Sequence, residues 1–164
     1  MFNLFKNMRT DNTNIYAPVE GKCIDITQVK DPVFSKKTMG DGVAIVPDSN
    51  IIQSPCSGTV TMLFPTKHAF GITTNEGLEI LIHIGIDTVN LNGKGFQAFV
   101  SENQKVKKGD KIIKFSDSYL ADSSMDMTTI VVITNGTEHP FNKNHLNENV
   151  CPDDIVISLD SAKK

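Results

Sequence analysis

The chain has 164 residues, 39% apolar and 21% charged, with a formal net charge of -3, which fits one ordinary folded domain and excludes a disordered or collagen-like polypeptide. With no Trp, two Tyr and an acidic balance, it has neither the positive field nor the stacking platform that nucleic-acid binding requires, so no nucleic acid is expected as a partner. Apolar runs such as Ile80-Leu81-Ile82 fall far short of the ~20 residues of a membrane span, no secretory leader precedes the body, and the protein reads as cytoplasmic.

Residues 1–15 read as a flexible N-terminal tail. Phe2, Leu4, Phe5 and Met8 would gather on one side of a short helix beside Lys6 and Arg9, an arrangement suited to weak peripheral contact of residues 1–12 with anionic lipid. The body, residues 16–164, is expected to be a single domain and a free-standing monomer. From Tyr16 onward, short apolar stretches alternate with Gly, Pro, Asn and Asp, predicting strands over 43–46, 58–64, 70–74, 78–84, 111–115, 129–133 and 155–159. Sparse apolar spacing leaves at most one helical turn each in 91–100 and 117–127.

Ala17-Pro18-Val19-Glu20-Gly21 and Ser54-Pro55-Cys56-Ser57-Gly58 share a Pro-x-x-Gly turn ahead of a strand, and Val106 to Ile112 supplies a similar turn. Read as a duplication, the echo predicts an all-β sandwich or barrel closed on itself. Cys23, Cys56 and Cys151 are odd in number and widely spaced, as expected of reduced thiols rather than a disulfide framework or a thiol zinc site.

Two of the four histidines lie in apolar strand sequence. Alternation along 78–84 places Ile80, Ile82 and Ile84 on a buried face and sends Leu81 and His83 to the other. Thr66 and His68 share a face if their segment is extended, so the hydroxyl can fix the imidazole tautomer. His139 and His145 sit in polar loop sequence and receive no role. Two neutral imidazoles on an apolar surface can bind a metal, act as acid and base, or accept a phosphoryl group on nitrogen. His68, His83 and Asp87 as three ligands would suit a zinc-dependent hydrolase of barrel-sandwich type. No G-x-S-x-G or H-E-x-x-H occurs, and Gly40-Asp41-Gly42 leads into a strand rather than a helix, so it reads as a turn and not a phosphate loop.

Pro32-Val33-Phe34, Met39-Gly40-Asp41-Gly42, Phe64-Pro65-Thr66-Lys67-His68-Ala69 and, above all, Ile82-His83-Ile84-Gly85-Ile86-Asp87-Thr88-Val89 resemble the glucose-type enzyme IIA of the bacterial phosphoenolpyruvate-dependent sugar phosphotransferase system. The resemblance runs over residues 17–135, with Ile130 standing where the family commonly has proline. It implies an all-β, antiparallel barrel-sandwich hybrid with short helical turns, acting as a phosphotransferase. In that picture His83 takes phosphoryl from the phosphohistidine of HPr through its Nε2 and passes it to a cysteine of the IIB domain of a glucose-family permease. His68 would donate a hydrogen bond to the phosphoryl oxygens, and Thr66 would orient His68. The docking surface implied comprises Val33, Phe34, Met39, Phe64, Phe70 and Ile84, with Asp31 and Asp87 at its edge. No cofactor is required; a zinc ion shared by His68 and His83 with a partner is the metal site the family suggests.

Overall fold

Strand β7 (Glu79–Ile84) shows how alternation builds the sheet: Ile80, Ile82 and Ile84 enter the main core, while Leu81 joins a second apolar cluster on the opposite face. The computed structural model describes residues 14–159. In it β7 pairs antiparallel with β11 (Thr129–Ile133) and β6 (Ala69–Thr73), placing His83 between Ile130 and Ala69. The same alternation recurs in β3 (Asp41–Pro47) and β11, where Val43, Ile45, Val131 and Ile133 face the main core and Ala44, Ile130 and Val132 the outer cluster. A slip of one residue would exchange the faces, so burial on both sides holds the register.

The remaining strands of this sheet are β2 (Gly21–Asp25), β5 (Gly58–Leu63), β9 (Lys105–Val106) and β13 (Asn149–Val150), in the order β13-β2-β3-β11-β7-β6-β5-β9. Two three-stranded sheets complete the fold. One is β1 (Asn14–Tyr16), β14 (Ile155–Leu159) and β12 (Phe141–Lys143); the other is β4 (Ile51–Gln53), β10 (Lys111–Phe115) and β8 (Phe96–Ala98). The antiparallel all-β class is as expected, but the eight-stranded sheet is open and does not close into a barrel.

Exchanging β13, β2, β3 and β11 with β9, β5, β6 and β7 reverses the strand order, and this symmetry gives the Pro-x-x-Gly echo a structural meaning. Tyr16 N donates to Pro55 O at 2.9 Å and Gln53 N to Pro18 O at 2.8 Å, so each turn receives the strand preceding the other. Ala17 N donates to Asp154 O and Ser54 N to Asp110 O in the same reciprocal way. The segment from Val106 is the counterpart of the one from Val150, not of the two proline turns: Lys107 N donates to Asp110 Oδ2 at 2.8 Å and Cys151 N to Asp154 Oδ2 at 2.9 Å. Strands β4 to β10 thus form one half, inserted between β3 and β11 of the other. The local two-fold runs between β7 and β11, where Ile82 faces Val131, and the counterpart of His83 is Val132. The two-fold arrangement supplies the frame, and only one half carries an imidazole at this strand position.

Two sequence expectations need correction. Asn14 and Ile15 are not tail: they pair with β14, and Ile15 is fully buried. The rest of the expected tail, with its proposed lipid-facing helix, lies outside the described residues. The helical turns also shift. One spans Thr88–Leu91, ahead of the expected 91–100; α2 (Asp117–Ala121) falls within 117–127; and α1 (Pro32–Ser35) was not anticipated. Cys23 and Cys56 are buried free thiols pushed by desolvation up to about 11 and about 12, which keeps them protonated and inert. No helix among the described residues is long and apolar enough to cross a membrane.

Candidate functional site

The site is built on the outer face of the sheet, where β6 begins beside the end of β7. Phe64-Pro65-Thr66-Lys67 turns sharply, with Lys67 N donating to Phe64 O and Lys67 at φ 59. That turn delivers Thr66 and His68 to one place, and Ile84 N then donates to His68 O at 2.7 Å, tying the turn to β7. His68 and His83 consequently meet as a right-angled pair, ring centroids 5.0 Å apart and planes at 86°. Thr66 Oγ1 lies 2.6 Å from His68 Nδ1. The hydroxyl thereby fixes the orientation of the buried His68 ring.

His83 is half-buried. Its chain neighbour above is the connection from β2 to β3, residues 26–40, which crosses the outer face. Asp31 caps α1 by accepting from Val33 N at 3.0 Å, and Pro32 occupies the first helical position, a start signal legible as Asp-Pro. One turn of helix sends Val33 outward and Phe34 inward, and the Phe34 ring sits 4.8 Å from that of His83. Phe64 stands edge-on to His68 at 5.3 Å. The imidazoles therefore lie in an apolar frame, His68 buried and His83 half-buried.

Burial governs their protonation. Desolvation first, and then His68, pull His83 from the ordinary 6.5 to about 4, against the opposing pull of the Gly85 backbone, Asp31 and Asp87. His68 is lowered too, by desolvation. Both rings are neutral near pH 7. The Nδ1 atom of His83 is sealed from solvent and has no hydrogen-bond partner among the described residues. Because Gly85 N already donates to Thr128 O, the Gly85 group that favours a proton on the ring is its carbonyl.

The titration has a stability consequence. An unfolded chain takes up this proton near pH 6.5 and the native one only near 4, so the stability tied to neutral His83 is intact above about pH 6.5 and drains as pH falls toward 4. Denaturant unfolding is expected to lose about 2 kcal/mol between pH 6.5 and pH 5 from this ring. His83→Gln should flatten that part of the profile; an unchanged slope in the variant would contradict the assignment.

Gly85 turns the chain away directly after β7 at φ +80, and a Cβ there would lie 2.4 Å from Thr88 Cγ2. Thr88 cannot yield, since it is buried and its hydroxyl donates to Ile84 O at 2.5 Å. Gly85→Ala is expected to cost about 2 kcal/mol or more, read as a lower unfolding midpoint, from combined backbone strain and overlap.

The other predicted residues divide. Val33 and Met39 are exposed, at 47% and 42%, and Phe64 is half-buried. Asp31 is half-buried and Asp87 exposed, both close enough to act on His83. Phe34 is nearly buried and reaches the site as its wall. Phe70 and Ile84 are corrected: both are fully buried in the main core, opposite the histidine face, and present nothing to a docking protein. Sequence reasoning missed Met62, 43% exposed, which with Met39, Thr61, Phe64 and Leu81 lines a shallow depression of about 420 Å³ beside the site. Its signal, a methionine at an outward strand position, was available. Asp87 does not complete a three-ligand set with the histidines, and no group of three or more metal-binding side chains occurs among the described residues, so the hydrolase ligand set is not assembled. His145 pairs with Glu148 at 2.9 Å, away from the site.

Residues 13–139 match the family described as phosphoenolpyruvate-dependent sugar phosphotransferase system, EIIA 1. The chain belongs to this EIIA family. It is 49% identical over 122 residues to the PTS system glucose-specific EIICBA component of Streptococcus pneumoniae, an alignment covering 74% of this chain but 17% of that relative. A solved structure described as glucose permease IIA from Mycoplasma capricolum superimposes with a TM-score of 0.74 at 38% identity, covering 88% of this chain and 93% of that one. The resemblance to glucose-type IIA thus holds, and the EIIA fold accounts for the pairing of the two histidine segments.

Proposed function

We propose that this EIIA chain is a phosphocarrier: His83 accepts a phosphoryl group from phospho-HPr and passes it to a cysteine of the IIB domain of a glucose-family permease. The observation that carries the reading is the right-angled imidazole pair, with His83 Nδ1 sealed inside and His68 oriented by Thr66. A proton on the buried Nδ1 leaves the Nε2 lone pair as nucleophile. As Nε2 bonds to phosphorus, the N–P bond of the donor breaks and its electron pair returns to the donor imidazole. In this reading neutral His68 is the tautomer whose Nδ1 accepts from the Thr66 hydroxyl, with its proton on Nε2, available to the phosphoryl oxygens. Transfer of this kind rests on positioning and charge stabilisation, which two fixed rings in an apolar frame supply.

Val33, Met39, Met62 and Phe64 form the apolar docking surface in this reading, and Asp31 and Asp87 meet basic residues of the carriers at its rim, where they act chiefly on encounter rate and salt dependence. The step requires no metal; a zinc ion shared with a partner would find only two ligands here, His68 and His83. The test is incubation with phosphoenolpyruvate, enzyme I and HPr, followed by intact-mass measurement and mapping of the acid-labile adduct. One phosphoryl on His83 is expected; no adduct, or an adduct elsewhere, refutes the proposal.

A further inference from the structure

The strap over His83, residues 26–40, leaves the sheet after Asp25 and rejoins it at Asp41. Both aspartates also anchor local backbone. Asp25 Oδ2 accepts from Thr27 N at 3.1 Å and Thr27 Oγ1 at 2.6 Å, and Asp41 Oδ1 accepts from Gly42 N at 2.8 Å. Between them stands one ammonium: Lys143 Nζ is 2.6 Å from Asp25 Oδ1 and 2.5 Å from Asp41 Oδ1. Lys143 belongs to β12, in the small sheet with β1 and β14, so a residue from a different sheet ties both feet of the strap together. Lys37 adds only a 3.6 Å contact to the far oxygen of Asp41.

The triad is partly desolvated, with side chains 16%, 23% and 36% exposed for Lys143, Asp25 and Asp41. Charges in such a place interact more strongly than a surface pair, and removing the cation leaves two carboxylates facing each other. Asp25 records the balance: burial raises its carboxyl, but the hydrogen bonds from Lys143 and Thr27 outweigh this and hold it at about 2.

We propose that Lys143 is a positioning residue for the phosphoryl-accepting site, drawing the feet of the 26–40 strap together and so setting how closely Phe34 and Asp31 are held over His83. This rests on the reading of His83 as acceptor. Lys143 touches neither histidine, and it acts by keeping water from the ring and by keeping Val33 and Met39 in the docking surface. Without it, repulsion between Asp25 and Asp41 spreads the strap and Phe34 lifts.

The experiment follows the His83 imidazole by NMR titration in the full chain, alongside steady-state phosphorylation by phospho-HPr. Besides Phe34, the groups facing the ring are His68, Asp31, Asp87 and the Gly85 carbonyl, none of which is altered. In Lys143→Met the titration midpoint should rise by about one unit or more toward 6.5 as water enters, and KM for phospho-HPr should rise about tenfold with a smaller change in kcat. Lys143→Arg, which keeps the charge, and the triple variant Asp25→Asn/Asp41→Asn/Lys143→Met, which removes the repulsion, should both return toward the parent values. A folded Lys143→Met protein with an unmoved His83 midpoint overturns the proposal, as does a triple variant no better than the single one. If Lys143→Met does not fold, Asp25→Asn loosens one foot alone and should move the midpoint the same way by less; no movement there also overturns it. The titration needs no phosphodonor, so a chain that takes no phosphoryl would refute the function while the clamp is still judged by the midpoint.

Discussion

His83→Gln is expected to take up no phosphoryl from phospho-HPr, a loss of at least about 10⁴-fold in acceptance rate, since an amide has no lone pair basic enough to form the N–P bond. The substitution should leave the fold standing. His83 lies at the edge of the outer apolar cluster, β7 keeps Ile80, Ile82 and Ile84 in the main core, and backbone pairing of His83 with Ala69 and Ile130 does not involve the ring. Near pH 7 the parent ring is neutral, so replacing it by a neutral amide of similar reach introduces no new buried charge. Intact mass after incubation with phosphoenolpyruvate, enzyme I and HPr, with circular dichroism to verify folding, decides the matter. An acid-labile adduct on the variant would show that another residue is the acceptor. His68 would be the first suspect, because its ring is the only other imidazole at the site.

The face that holds the imidazole pair was legible from alternation alone: three isoleucines two residues apart can only put Leu81 and His83 on the opposite side. Where the family resemblance and the alternation disagreed, the alternation prevailed. It assigned Ile84 to the buried face, and Ile84 is buried; the resemblance set it among the docking residues. Phe70, directly across from Ile82, fails for the same reason. Three-residue strands such as Ile51–Gln53 and Phe96–Ala98 are too short to display a period of two, so they emerged only from pairing with β10. The proline turns were visible, but their reciprocal hydrogen bonding was not, since nothing in Pro-x-x-Gly says what the preceding strand will bond. Least legible was the strap. Its helix start, Asp31-Pro32, could be read, whereas its clamp joins Lys143 to residues 118 and 102 positions away.

His68→Gln should still accept phosphoryl yet donate it to a IIB cysteine about 10²-fold to 10³-fold more slowly, the scale of losing one well-placed hydrogen-bond donor to a reacting group. The asymmetry follows from charge. In the proposed transfer, acceptance brings a neutral imidazole to the phosphoryl dianion. On donation, the attacking group is a thiolate, an anion approaching the same dianion, and the electron pair of the broken N–P bond returns to His83 Nε2. The second encounter has the greater need of positive potential beside the oxygens. His68 can provide it, because its ring gains a proton more readily once a phosphoryl dianion lies against it; a glutamine amide cannot become cationic. Orientation matters as well, as His68 Nδ1 is held 2.6 Å from the Thr66 hydroxyl. Thr66→Val should therefore show the same defect in milder form, while Thr66→Ser, which keeps the hydroxyl, should not. Single-turnover transfer from the phosphorylated protein to an isolated IIB domain, compared with its rate of charging by phospho-HPr, separates the two steps. Equal slowing of both in His68→Gln would mean that His68 serves only to shape the nucleophile's surroundings, and the role assigned to its Nε2 proton would have to be abandoned.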